Sequence, residues 1–162
     1  HGPKVPYDEI VIDSFSTGHF LSLLRAPEAL TQSITFGPMH DQCKSIASLI
    51  RDKNFTEVHI VTLPEELPVT ESIELYTQLQ NEFEITAQVH LNKNLNLSTA
   101  DLKNLPAVAY DSLKKNRDAE SAAKEKLTEN KILFKELSLI PSLNTMEIIT
   151  SLSITRSKEF EK

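Results

Sequence analysis

Asp13 closes the β-branched run Ile10-Val11-Ile12 and opens onto Ser14-Phe15-Ser16-Thr17-Gly18-His19, a turn of mostly small and polar residues ahead of the apolar Phe20-Leu21-Ser22-Leu23-Leu24. A carboxylate at such a point can hold a magnesium-bound water. Thr17 and the backbone amides at Gly18 and the helix start can face a phosphate, because the first N–H groups of a helix lack partners within it and its dipole favours an anion there. The same residues equally suit a turn that Asp13 and Ser14 merely cap, and the residues alone leave both readings open.

The elements that would position this stretch alternate along the chain. Residues 1–7, with two prolines and a glycine and no apolar signal core, read as an extended lead-in. Glu9 to Asp13 suits a strand buried on both faces, strand A. A helix starting at His19 is expected to stop near Pro27, which has no N–H to donate. Glu28 to Gly37 reads as a short helix and turn. Met39 to Lys53 reads as a helix with Cys43, Ile46, Ala47, Leu49 and Ile50 at helical spacing.

Glu57 to Leu63 is strand B, and Pro68 to Phe83 an amphipathic helix with Ile73, Tyr76, Leu79 and Phe83 on one face. Ile85 to Leu91 is strand C, with Ala87, Val89 and Leu91 alternating against Thr86, Gln88 and His90. Asn92 to Asn96 reads as a loop and Ser98 to Asp101 as a helix start. Val108 to Asn130 reads as a long exposed helix with a weak stripe at Ala119, Ala123 and Leu127. Residues 132–134 and 137–140 suggest a last short strand before Pro141, and Leu143 to Ile154 a closing helix. Strands separated by helices long enough to cross over predict an α/β fold with a parallel sheet and flanking helices. Ligands of such sheets bind beyond the carboxyl ends of the strands, where Asp13, Thr62 and Asn92 are expected.

Composition narrows the function classes. In 162 residues the apolar fraction is 40% and the charged fraction 25%, with no apolar run near twenty residues, so a soluble domain without direct membrane insertion is expected. A net charge of −6 gives no overall basic field for nucleic acid or an anionic membrane. Cys43 is the single cysteine, which allows no internal disulfide and fits the cytoplasm; it reads as a buried apolar residue. His1, His19, His40, His59 and His90 form no pair at metal-ligand spacing, and His59 and His90 are expected simply to pack within strands. Glu65 and Glu66 diverge as adjacent residues and read as an acidic lead into a helix. Lys114 to Lys126 mixes both signs and reads as a solvated helix face.

Asp13-Ser14-Phe15-Ser16-Thr17-Gly18-His19-Phe20-Leu21-Ser22-Leu23-Leu24 resembles the switch segment Asp-Thr-Ala-Pro-Thr-Gly-His-Thr-Leu-Arg-Leu-Leu of the ArsA-type ATPases. That group of P-loop NTPases, of the deviant Walker A class, includes the arsenite-pump and tail-anchored-protein-targeting ATPases. The likeness continues through Arg25-Ala26-Pro27 and resumes from Thr56 to Glu71, which resembles the family's strand, proline turn and helix. Val89-His90-Leu91-Asn92-Lys93 resembles its apolar strand ending in asparagine, and Leu139-Ile140-Pro141 the segment that opens its adenine-binding loop. The resemblance is fullest over residues 7–93.

The resemblance implies a switch II role for Thr17, Gly18 and His19 near the γ-phosphate, and for Asp13 an indirect hold on Mg2+ through water. It implies adenine contacts for Asn92 and Pro141, and thus ATP and Mg2+ as ligands of the intact protein. At 162 residues the chain is long enough for one domain and too short for two ordinary ones, so one domain is expected over 1–162, with the lead-in at 1–7, the switch and core sheet at 8–93 and a helical and adenine-loop region at 94–162. Phe15 and Ser16 stand where the family has a small residue and proline, which alters the turn.

The chain contains only Gly2, Gly18 and Gly37, and no glycine-rich loop followed by Lys-Ser or Lys-Thr. Phosphoryl transfer needs that cradle and its lysine, so the chain is not expected to hydrolyse ATP alone. The simplest expectation is a carboxy-terminal half, beginning partway through the protein and pairing with the missing amino-terminal half or forming a homo-oligomer. A lone cysteine suits neither arsenite capture nor a zinc-bridged dimer. The alternative is a non-catalytic interaction or regulatory domain derived from the same frame.

Overall fold

A strand with one face against a core and the other toward water alternates buried and exposed residues, and Val58 to Thr62 does so. In the computed structural model, which describes residues 7–14, 16–96 and 107–139, His59–Thr62 forms β1 with Ile60 and Thr62 turned inward. The chain divides into two compact units, His1–Glu57 and Val58–Lys162.

In the first unit, Thr17–Ser33 forms α1 and Pro38–Arg51 forms α2, and the two helices pack together. Leu21, Leu24 and Pro27 supply the buried stripe of α1, and Cys43 is buried on α2 as its sequence position implied. Gly37 precedes α2 at φ 106°, a conformation that strains a residue bearing a Cβ, and Pro38 follows at the first helical position where its missing N–H costs nothing. Glu28 and Arg51 form an exposed ion pair between the helices.

Two expectations fail here. Pro27 does not end the helix: α1 runs on through the predicted short helix to Ser33. Burial of the Pro27 ring recovers part of what the lost hydrogen bond costs, and Thr31 Oγ1 donates to the Pro27 carbonyl one turn later at 2.8 Å. Strand A is absent: among the described residues, 9–13 pair with no strand, and Ile10, Val11 and Ile12 are 73%, 90% and 80% exposed. A doubly buried parallel strand exists only where strands flank it and helices cover it. A β-branched run without those neighbours does not make one.

The second unit is the α/β frame the sequence predicts. α3 (Glu66–Phe83) follows β1, β2 (Gln88–Asn94) follows α3, and α4 (Ala107–Glu129) leads to β3 (Phe134–Ser138). The sheet order is β1-β2-β3 with both pairings parallel. Val69, Ser72, Leu75, Leu79 and Phe83 line the buried face of α3, which packs against β1 and α4. The core comprises Leu79, Phe83, Val89, Leu91 and Leu127, each 2% exposed or less. The left-handed residue Glu84 ends α3, with Ile85 N–H donating back to the Leu79 carbonyl at 3.0 Å.

β2 extends past the expected Leu91 into the predicted asparagine loop. Leu91 faces Glu136 and Asn94 faces Ser138, so β2 carries one residue more than β3 over this span, a bulge at Asn92 and Lys93 with Lys93 at φ 59°. The helix start expected at 98–101, Pro141 and the closing helix 143–154 lie outside the described residues. Among the described residues, no helix is long and apolar enough to cross a membrane.

Candidate functional site

In the amino-terminal unit, Thr17, Gly18 and His19 form the exposed first turn of α1. Ser16 takes the cap: its Oγ accepts the His19 N–H at 3.4 Å, and its carbonyl accepts Phe20 N–H at 2.9 Å. The N–H groups of Thr17 and Gly18 precede the first residue that can find a carbonyl within the helix. No acidic residue lies in that turn, so the positive end of the dipole is not offset from within the helix. Asp13, four residues ahead of Thr17, is exposed, and the hydroxyl oxygen of Ser14 is buried without a hydrogen-bond partner. Gly18 has open space where a Cβ would stand, so its backbone is approachable.

In the carboxy-terminal unit, Thr62 and Asn92 both reach the carboxyl ends of parallel strands, as expected of them. Thr62 pairs in register with Leu91, and Asn92 is the next residue. Thr62 is buried, whereas Asn92 is half-buried and its Oδ1 accepts the Lys93 N–H at 2.8 Å, leaving the Nδ2 end as the part of the amide that can reach outward. Pro141, the other expected adenine contact, lies outside the described residues.

The same edge holds a polar cluster that sequence reasoning missed. Asn94 is 1% exposed, its Nδ2 donates to the Leu91 carbonyl, and its Oδ1 is buried with no partner. Its backbone carbonyl accepts Leu139 N–H at 2.8 Å, which ties the ends of β2 and β3. Glu120 on α4, also buried, accepts the N–H groups of Leu95 at 3.0 Å and Asn96 at 3.4 Å. Lys124 Nζ bridges Glu120 Oε1 and Glu136 Oε2, each at 2.8 Å. Burial opposes the charge of Lys124, but hydrogen bonds and attraction from Glu120 and Glu136 outweigh it and raise its pKa above the ordinary lysine value.

The helical period contained the signal. Leu113, Arg117, Glu120, Lys124 and Leu127 recur at three- and four-residue steps and are all buried or half-buried, whereas Ala119, assigned to the stripe on hydropathy, is exposed. The stripe was obscured because three of its members are charged. A second omission is His59 with His90, dispersed in sequence but brought together across β1 and β2, Nδ1 to Nε2 at 2.9 Å.

No protein-family model matches the chain. It is similar to the protein named ATPase BagA of Mycobacterium tuberculosis and to one of Mycobacterium bovis named "Putative ATPase Mb3704", with 37% identity over 94 residues in each case. The similar region is 57% of this chain and 27% of either relative, so the chain spans about a quarter of the length of the curated relatives it matches.

Proposed function

We propose that the chain is the switch and adenine-binding part of an ArsA-like, magnesium-dependent ATPase. The observation that carries this reading is the likeness to proteins named as ATPases, over a region more than half the length of this chain. The open first turn of α1 supports it, because two backbone N–H groups and an uncompensated dipole face solvent there. The bulged end of β2 supports it as well, since Asn92 sits where parallel sheets receive ligands.

On this reading Thr17, Gly18 and His19 lie near the terminal phosphate, and Asn92 and Pro141 bind the base. Mg2+, when bound, supplies charge neutralisation of the phosphate oxygens. Asp13 would hold it through water, and an exposed carboxylate leaves room for that water. The whole chain, 1–162, acts as one domain of the ATPase and works as a homo-oligomer or with a segment carrying the phosphate loop that these 162 residues lack. Hydrolysis belongs to that assembly.

One observation favours the non-catalytic alternative. Ser16 fixes the turn before α1 as a helix cap, and a capped turn resists the movement a switch requires. Titrating 15N-labelled chain with Mg·ADP separates the two readings. The ATPase reading expects shifts at Thr17, Gly18 and His19 and at the Asn92 side-chain amide, the former weakened in Asp13→Ala. No shift at any of them at millimolar nucleotide would leave the interaction domain as the better account.

A further inference from the structure

His59 and His90 lie on the sheet face opposite the core. His59 is in register with Gln88, and His90 is two residues further along β2, so both imidazoles project from the same side. Their rings stack with centroids 5.2 Å apart and an interplanar angle of 27°, and His59 Nδ1 meets His90 Nε2 at 2.9 Å. One nitrogen donates and the other accepts. The buried neighbours Ile60, Val89 and Leu91 anchor both strands from the other side, so this approach is built into the β1–β2 ladder.

We propose that His59 and His90 together form a binding site for a first-row transition-metal dication. Two imidazole nitrogens bound to zinc lie about 2.0–2.1 Å from it, so at ligand angles between square and tetrahedral they stand roughly 2.9–3.4 Å apart. The observed 2.9 Å falls at the near end of that range. Binding requires a lone pair on both facing nitrogens. The hydrogen shared between the rings must therefore leave that contact, by exchange with water, as the ion enters.

His59 is exposed and His90 half-buried, so the ion has an open path and water can fill the positions the two rings leave. Among the described residues no group of three His, Cys, Asp or Glu side chains gathers as a metal cage, which makes this an open two-nitrogen site. Imidazole selects Cu2+, Ni2+ and Zn2+ over the hard Mg2+. The site is therefore independent of the magnesium assigned to Asp13.

Titration of the whole chain with NiCl2 and ZnCl2 by calorimetry, and with CuCl2 by electron paramagnetic resonance, tests the proposal. One equivalent should bind at pH 7.5, and the copper spectrum should report two imidazole nitrogens. His59→Gln and His90→Gln should each weaken binding at least tenfold, whereas His1→Ala and His40→Ala leave it within twofold. Ni2+ should raise the melting temperature of the unsubstituted chain and of His40→Ala but not of the two glutamine variants, whose metal-free melting curves establish that they fold. Equal binding by the glutamine variants and the unsubstituted chain, or no binding by the latter at micromolar metal, overturns the assignment.

Discussion

The carboxylate of Glu120 accepts the backbone N–H of Leu95 at 3.0 Å, so α4 holds the chain where it leaves β2. A buried carboxylate is stable there because two amides and the Lys124 ammonium all converge on it.

Glu120→Ala should lower the stability of the carboxy-terminal unit by about 3 kcal/mol, since it leaves the N–H groups of Leu95 and Asn96 without their acceptor and the Lys124 ammonium with Glu136 as its one carboxylate partner. Glu120→Gln should lose roughly half as much, also about 1–2 kcal/mol, because an amide oxygen still accepts one N–H. Urea denaturation reads both values. A loss below about 1 kcal/mol for the alanine variant would mean that water replaces the carboxylate without penalty.

The lysine bridge gives a pH dependence of definite sign. The folded-state pKa of Lys124 lies above its unfolded value, so its contribution is fully present below the unfolded pKa and is lost as pH rises through the folded one. The urea midpoint of the unsubstituted chain should exceed that of Lys124→Gln by a constant margin from about pH 7 to 9, and the margin should shrink above roughly pH 10.4, the ordinary lysine value. A margin that grows with alkalinity would refute the bridge.

Leu127, on the helix that packs against α3, is fully buried. Leu127→Ala should cost about 3 kcal/mol through lost burial and the cavity left behind, read by thermal or urea unfolding.

Pro27→Ala tests why α1 continues. Restoring an N–H for the carbonyl of Leu23 should outweigh the lost ring contacts and stabilise the first unit by about 1 kcal/mol. Destabilisation would show instead that ring packing dominates, and thermal melts distinguish the two.

The legible parts of the fold were those where a residue's own neighbours decide its state. Alternation marked β2, the β-branched residues Val58, Ile60 and Val61 marked β1, and helical spacing marked α3, although Ser72 and Leu75 occupy the buried face on which Ile73 and Tyr76 were expected. Glu9 to Asp13 misled because β-branching describes a preference that only flanking strands can realise. Pro27 misled because its burial is a tertiary effect. At the candidate site, Thr17 to His19 were legible as a helix start, whereas Asn94 and Glu120 were not: a buried polar residue resembles an exposed one until its partners are known. The His59–His90 contact depends on strand register, which spacing along the chain does not encode.

The parallel order β1-β2-β3 also governs when the sheet can exist. His59 meets Gln88 only after α3 has crossed over, and Val89 meets Phe134 only after α4 has done so. Among the described residues no hairpin is available to seed the ladder, and each pairing must first close a long loop. The α1–α2 pair, by contrast, joins helices adjacent in sequence. On a ribosome the helical unit can therefore mature while β1 is still waiting, its hydrogen-bonding groups satisfied by water until the remaining strands emerge.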